Sequence, residues 1–455
     1  MVDALSQSMQ SLISEVVQKK SLKVEFNLFV LVLVRYRYLV CAPGSSITPV
    51  RVAEFDDFMM GKLTKFKIHL VDDKDIYHSG EEVVGEVKIK LSEAMQMKGV
   101  RLTFSGKAHV DWEEGSDDSK SSYWATQNLF YKEIYVYGRG SSDANDTVEL
   151  SPGSHTFSFN FTLPHALPSS YEDFGCFIRY FIKASIVKPW KFDHNTKKVF
   201  TVLDTLDLNT IPTALASPGD SQSKSFCCMC CTSGPIELEF YLDRTGYVPG
   251  EFITINANVT NSSDRNLTKT TAELYKDITY RAQGREKKEL KFVTKITGDG
   301  CPPKESLTWT NKKMQIPSLP PTELRHCDII DVEYLVQFTV HTPAFSISLR
   351  GKAPIVIGTV PLRHLPEYRR TESETIAVEF SRTPPPSFST LPANDLDVTY
   401  NNFPPPPSYV AATQGSTNVR DNDDNEFTMG EMSYTPHYTY YDWGQTELTV
   451  DDSRL

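Results

Sequence analysis

From Lys62 onward the chain reads in period two. Phe66-Lys-Ile-His-Leu-Val71, Val83-Val-Gly-Glu-Val-Lys-Ile-Lys-Leu91 and Val100-Arg-Leu-Thr-Phe-Ser105 alternate apolar and polar residues, the pattern of half-buried antiparallel strands. Thr156–Leu163 and Ile178–Ile186 continue it, and His78-Ser-Gly80 and Ser151-Pro-Gly153 punctuate it as turns. Few helical patterns interrupt residues 62–362, so this stretch predicts an all-β sandwich region. Upstream, Leu5, Met9, Leu12, Ile13, Val16 and Val17 recur at helical spacing. They predict a short amphipathic helix, either a membrane-surface or partner-docking element or an extension with no dedicated job. The apolar run Leu28–Val34 has seven residues and is followed by Arg35 and Arg37. A spanning helix needs about 20, and Asp3, Glu15 and Glu25 make a poor signal peptide. Met59-Met60-Gly61 reads as an alternative start, which leaves 1–59 as an N-terminal extension of unclear status.

The strand region repeats itself. Tyr77-His-Ser-Gly-Glu-Glu-Val-Val-Gly-Glu-Val87 matches Tyr247-Val-Pro-Gly-Glu-Phe-Ile-Thr-Ile-Asn-Ala257 at a constant offset of 170, and Arg101–Phe104 matches Thr271–Leu274 more loosely. That period is too long for a solenoid and suits two similar sandwiches in tandem, with each glycine in a turn and each glutamate opening the next strand. The expected division is an N-domain at 61–208, a linker at 209–234, a C-domain at 235–362 and a tail at 363–455. The tail lacks a core pattern, carries Arg382-Thr-Pro-Pro-Pro-Ser-Phe388, Phe403-Pro-Pro-Pro-Pro-Ser-Tyr409 and Asp421-Asn-Asp-Asp-Asn-Glu426, and is expected to be largely disordered.

Composition narrows the function. With 47 Lys+Arg against 58 Asp+Glu the net charge is −11, which argues against a general nucleic-acid binder, since such a protein needs a dominant cationic field. Eight cysteines in 455 residues are too few for a disulfide scaffold and fit a reducing compartment. Four of them, Cys227, Cys228, Cys230 and Cys231, crowd together. They read first as linker or packing residues, then as acylation sites, then as a zinc site lacking its second C-x-x-C, and last as a redox pair. No cofactor is expected.

Pro406-Pro407-Ser408-Tyr409 closes a four-proline run. Consecutive prolines hold polyproline II without loss of entropy on binding, two rings enter an aromatic groove, and the tyrosine fills a second pocket. This is the ligand signature of WW domains, modules carried by HECT-type ubiquitin ligases among others. Pro385-Pro386-Ser387-Phe388 keeps the ring and loses the hydroxyl, a weaker second site. Residues 179–198 carry Arg179, Lys183, Lys188, Lys191, Lys197 and Lys198 against Asp193. On one face these make a patch for acidic or phosphorylated cargo tails or anionic lipid; otherwise they are a strand edge kept soluble by lysines. The tail's Tyr434, Tyr438, Tyr440 and Tyr441 are either phosphorylation sites or solvated sequence.

No G-x-S-x-G, P-loop, H-E-x-x-H or dinucleotide fingerprint occurs, so an enzyme is not expected. The parts together resemble the arrestin domain-containing proteins, the alpha-arrestins. The residues that carry this are Phe157–Pro164, Leu167–Ser170, Ile178–Tyr180, Lys183-Ala184, Lys188–Lys191 and Asp207–Asn209 in the first half. In the second half they are Cys231–Pro235, Gly246–Glu251 and Val356–Pro361. The resemblance implies two tandem arrestin-like, immunoglobulin-like β-sandwiches. It also implies a cytoplasmic adaptor, peripheral to plasma membrane and endosomes, that links receptors or transporters to WW-domain HECT ligases for ubiquitination, endocytosis and sorting. A ligase-independent sorting scaffold or regulator of receptor signalling is the alternative. The buried charge cluster that latches visual arrestins has no match.

Overall fold

The computed structural model describes residues 62–116, 119–140, 146–189, 192–228, 231–342, 348–363, 416–421, 424–425 and 427–441, with only the backbone given for 226–228 and 231–233. In the N-terminal sandwich, Leu63–Leu70, Glu82–Leu91 and Gly153–Thr162 form one sheet, with Glu82–Leu91 central. Along that central strand Val83, Val87, Ile89 and Leu91 are buried in alternation with more exposed positions, the predicted period of two. The facing sheet runs in the order Ile76–His78, His194–Leu203, Phe177–Val187, Gly99–Glu114 and Ser121–Gly138. Phe104 joins the two layers, stacked on Phe161 at 4.5 Å and edge-on to Phe159 at 5.6 Å.

The C-terminal sandwich repeats this plan. Gly219–Cys228, Cys231–Leu242, Phe252–Asn261 and Ser306–Gln315 form one sheet, and Gly246–Tyr247, Leu349–Ile357, Ile330–His341, Lys269–Ala282 and Arg285–Gly298 the other. The sequence repeat becomes a structural one. Tyr77 and Tyr247 are buried, each in a short strand running parallel to the end of a long one. Gly80 and Gly250 take φ of 80° and 98°, the left-handed region that favours glycine. The following glutamates also close their turns: Glu81 Oε2 accepts from the His78 N–H at 2.8 Å and Glu251 Oε2 from the Val248 N–H at 2.9 Å.

Two expectations change. Residues 219–228 are not linker: they are an edge strand paired with Cys231–Leu242, and Cys228 faces Cys231 across the hairpin. The strand Gly-Asp-Ser-Gln-Ser-Lys is mostly exposed, so it has little apolar pattern to betray it and is held by backbone pairing. The tail is not uniformly without contacts either, because its residues 416–441 pack on both sandwiches.

A buried ionic cluster joins the sandwiches. Asp173, from the first, accepts from the Tyr171 hydroxyl at 2.8 Å and, across the junction, from the Tyr280 hydroxyl at 2.9 Å and Lys291 Nζ at 2.5 Å. Lys276 Nζ donates to the Tyr171 hydroxyl at 3.4 Å. Burial alone raises the Asp173 pKa, but Lys276 and Lys291 more than reverse that and bring it down to about 2. Burial likewise pushes Lys276 down to about 8. A carboxylate whose folded pKa is depressed contributes stability above its unfolded value of 3.8 and loses it as pH falls toward about 2; the amount is about 2 kcal/mol. Acid thermal melts are therefore expected to drop more steeply across this window in the wild type than in Asp173→Asn. Parallel curves would contradict the contribution.

Candidate functional site: a basic face under an acidic strap

Strand register builds the site. Phe177–Val187 lies antiparallel between Gly99–Glu114 and His194–Leu203, with Arg179 opposite Lys107 and Lys183 opposite Lys197. Directly opposed residues share a sheet face, so Lys107, Arg179, Lys183 and Lys197 crowd one outer surface. Like charges set opposite each other repel. Such a face folds with its lysines covered only if anions come with the cover.

The tail supplies them. Thr428–Gly430 adds a parallel strand to the edge at Asn195–Lys197, the Asn195 N–H donating to Phe427 O at 3.2 Å and the Glu431 N–H to Lys197 O at 3.0 Å. Thr417–Asn418 pairs antiparallel with Ser433–Tyr434, so the segment folds back on itself over the sheet. Its carboxylates then bridge the lysines. Asp424 receives Lys183 Nζ at 3.0 Å and Lys197 Nζ at 2.6 Å; Asp421 receives Lys107 Nζ at 2.7 Å and Lys197 Nζ at 2.9 Å. Lys197 also donates to Val419 O at 3.1 Å and is only 2% exposed. Burial pushes both aspartate pKa values up, and the lysines beside them outweigh it, so each ends below its ordinary range.

The rest of the strap is apolar and tyrosine-rich. Val419 and Tyr434 pack on Phe181 and Val199, and Tyr434 shares a 2.9 Å hydrogen bond with the Thr201 hydroxyl. Further along, Tyr438 packs on Leu203. On the C-terminal sandwich, Ser318 Oγ donates to Tyr438 O at 3.4 Å, Gln315 Nε2 to the Tyr440 hydroxyl at 3.1 Å, and the Tyr441 hydroxyl to Thr359 O at 2.7 Å. The strap thus crosses from one sandwich to the other.

The expected cationic patch is therefore divided. Lys183 and Lys197 lie together under the strap, while Arg179 is buried against Glu172, with Nη2 at 2.8 Å from Oε2. Lys198 turns away at the sheet edge to Asp75 at 2.8 Å and Glu431 at 2.7 Å. The Lys188 N–H donates to Asp193 at 3.0 Å. Lys191 lies outside the described residues, as do Pro406, Pro407 and Tyr409, the weaker Pro385, Pro386 and Phe388, and the side chains of Cys227, Cys228, Cys230 and Cys231. Among the described residues no His, Cys, Asp and Glu group forms a metal site, and no helix is long and apolar enough to cross a membrane. Sequence reasoning missed Lys107, Asp421, Asp424 and Glu431; the one available signal was an acidic run downstream of a chain segment rich in lysine.

Comparison with known proteins agrees with the tandem fold. The profile of the arrestin (or S-antigen) N-terminal domain matches residues 66–209, and that of the C-terminal domain residues 232–362. Arrestin domain-containing protein 17 of Caenorhabditis elegans is 32% identical over 66% of this chain and 72% of its own length. Human arrestin domain-containing protein 4 is 31% identical over 68% of this chain and 73% of its own. Human arrestin domain-containing protein 1 is 26% identical over 68% and 67% respectively. The molecule is an arrestin-fold adaptor. It belongs to the arrestin domain-containing family, the alpha-arrestins.

Removing one partner of a buried ion pair costs about 3–5 kcal/mol when the other must stay buried. Here the strap can lift and rehydrate Lys183 and Lys197, so the loss is bounded by the strap's docking free energy. In Asp424→Ala, trypsin is expected to cleave after the exposed Arg420 about tenfold faster or more. Unchanged cleavage would show that Asp424 does not hold the strap.

Proposed function

We propose that this chain links membrane cargo, receptors or transporters, to WW-domain HECT ubiquitin ligases, and so promotes cargo ubiquitination, endocytosis and endosomal sorting. It acts in the cytoplasm, peripherally on plasma membrane and endosomes. The observation that carries this is Pro406-Pro407-Ser408-Tyr409 in a chain of the arrestin domain-containing family. A polyproline II segment ending in tyrosine presents two rings and a phenol to an aromatic groove with little ordering left to lose. The motif ends seven positions before Ser416, where the docked strap begins. Pro385-Pro386-Ser387-Phe388 adds a weaker contact, and two linked contacts gain from effective concentration. The basic face is the cargo side of the adaptor.

Tyr409→Ala is expected to eliminate ligase pull-down and cargo ubiquitination while both sandwiches stay folded. Cargo ubiquitination at the wild-type level in this variant would reject ligase recruitment through the motif and favour a ligase-independent scaffold.

A further inference from the structure

We propose that the outer face of the sheet Leu63–Leu70, Glu82–Leu91 and Gly153–Thr162 is a docking surface for the headgroups of an anionic bilayer, held by Lys65, Lys67, Lys88 and Lys90. The site lies apart from the strap. It rests on the adaptor role proposed above only for why the protein meets a membrane.

Register assembles the face. Leu63–Leu70 and Glu82–Leu91 run antiparallel, with Lys65 opposite Lys90 and Lys67 opposite Lys88. Phe66 and Ile89, opposed between these two pairs, are buried in the core, so all four lysines stand on the solvent side. Their Cβ atoms mark a rectangle about 5 Å across the strands and about 7 Å along them. Lys65, Lys67 and Lys90 are exposed and Lys88 is half-buried. Like charges placed this way repel, and the chain does little to offset them. Among the described residues, the carboxylate that pairs with this group is Glu86, 3.3 Å from Lys88. The third strand sets Ser154 and Thr156 opposite Lys90 and Lys88, hydroxyls without charge. The other layer of the sandwich differs in this respect. There the opposed Lys183 and Lys197 receive an aspartate from the tail, whereas here two opposed pairs receive none from the described chain. In a protein of net charge −11 the face is a cationic island, and its counter-charge comes from solvent ions or from a partner.

Shape selects the partner. Side chains stand roughly perpendicular to a sheet, so four ammonium groups on flexible stems reach one plane with no groove between them. A peptide gains no pocket on such a surface, while a layer of lipid phosphates and carboxylates meets all four lysines at once. Among the described residues of this face, Val84 is the one large apolar side chain exposed, so contact is electrostatic and nothing inserts. Each lysine beside an anionic leaflet is worth about fivefold in affinity, and the attraction fades beyond about 8 Å at physiological salt. This face and the strap-covered one belong to different layers of the same sandwich, so lipid on the first leaves the second open to cargo.

The test is sedimentation of the full chain with phosphatidylcholine vesicles, with and without phosphatidylserine. Wild type is expected to bind the phosphatidylserine vesicles and to leave them as salt is raised. K65Q/K67Q/K88Q/K90Q should bind about a hundredfold more weakly or worse, while K65R/K67R/K88R/K90R, which keeps the charge, should bind as wild type does. K295Q/K312Q/K313Q/K352Q removes the same charge from exposed positions of the other sandwich and should also retain binding. Wild type that ignores phosphatidylserine overturns the proposal, as does equal loss in the two glutamine variants. Binding that survives K65Q/K67Q/K88Q/K90Q belongs to another part of the chain, the stripe Leu5–Val17 included, and overturns it too. Polyglutamate that binds through these lysines where vesicles do not would assign the face to an acidic protein and likewise reject it. Y409A should leave every one of these results as it was, so loss of ligase recruitment and loss of lipid docking are separately visible.

Discussion

Two lysines set directly opposite each other on adjacent strands cannot both be buried unless an anion stands between them. Lys183 and Lys197 are such a pair, and Asp424, more than two hundred residues away in sequence, stands between them. The ion pairs are enclosed, Asp424 fully and Lys197 to within 1% of its side chain. Enclosed pairs do not by themselves stabilise a fold, because desolvation consumes much of the Coulombic gain. What they do impose is a strict dependence: the lysines are covered only while the carboxylates are there. Apolar contacts of Val419 and Tyr434 hold the cover down, and the charges decide what kind of chain the cover can be.

The dependence explains an anomaly in the burial pattern. Most strands of the N-terminal sandwich alternate buried and exposed residues, as a sheet with one solvated face must. Phe177–Val187 and His194–Leu203 are buried at nearly every position, polar ones included. Their sequences still read as half-buried strands, since Arg179, Lys183, Ser185, Asn195 and Lys197 occupy the outer face. A strand polar in composition and buried in fact is one whose partner is supplied from elsewhere in the chain. It is also an edge that would otherwise be open to other strands, and the tail closes part of it.

Much of the fold was legible because its causes are local. Alternation located the strands, and the Tyr-x-x-Gly-Glu repeat marked two turns whose glycines need positive φ and whose glutamates cap a backbone N–H three positions earlier. The basic cluster was legible as composition, but not as a site, since only register tells which lysines share a face: it put Lys183 beside Lys197, added Lys107 and sent Lys198 the other way. The strap escaped sequence reasoning because its order is largely borrowed, with one short pairing of its own. Asn-Asp-rich sequence has no core pattern of its own, and its contacts span most of the chain. The strand at 219–228 escaped for the opposite reason, having almost nothing to bury.

Three consecutive residues tie the strap to the junction between the sandwiches. Tyr171 and Asp173 belong to the interdomain cluster, with Tyr280, Lys276 and Lys291 on the far side. Glu172, between them, faces the other way: it is fully buried, pairs with Arg179 and accepts from the strap's Thr417 hydroxyl at 3.0 Å. Burial holds its pKa above the usual range despite the arginine, so each donor to that carboxylate matters for keeping it ionised. Lifting the strap removes one of those donors and rehydrates the site, one peptide unit from the aspartate that bonds to the second sandwich. Tyr438 and Tyr441, which reach the C-terminal sandwich directly, would leave with it. The strap that covers the basic face therefore also adds to the contacts between the two sandwiches, and it meets Glu172 directly beside the cluster that joins them.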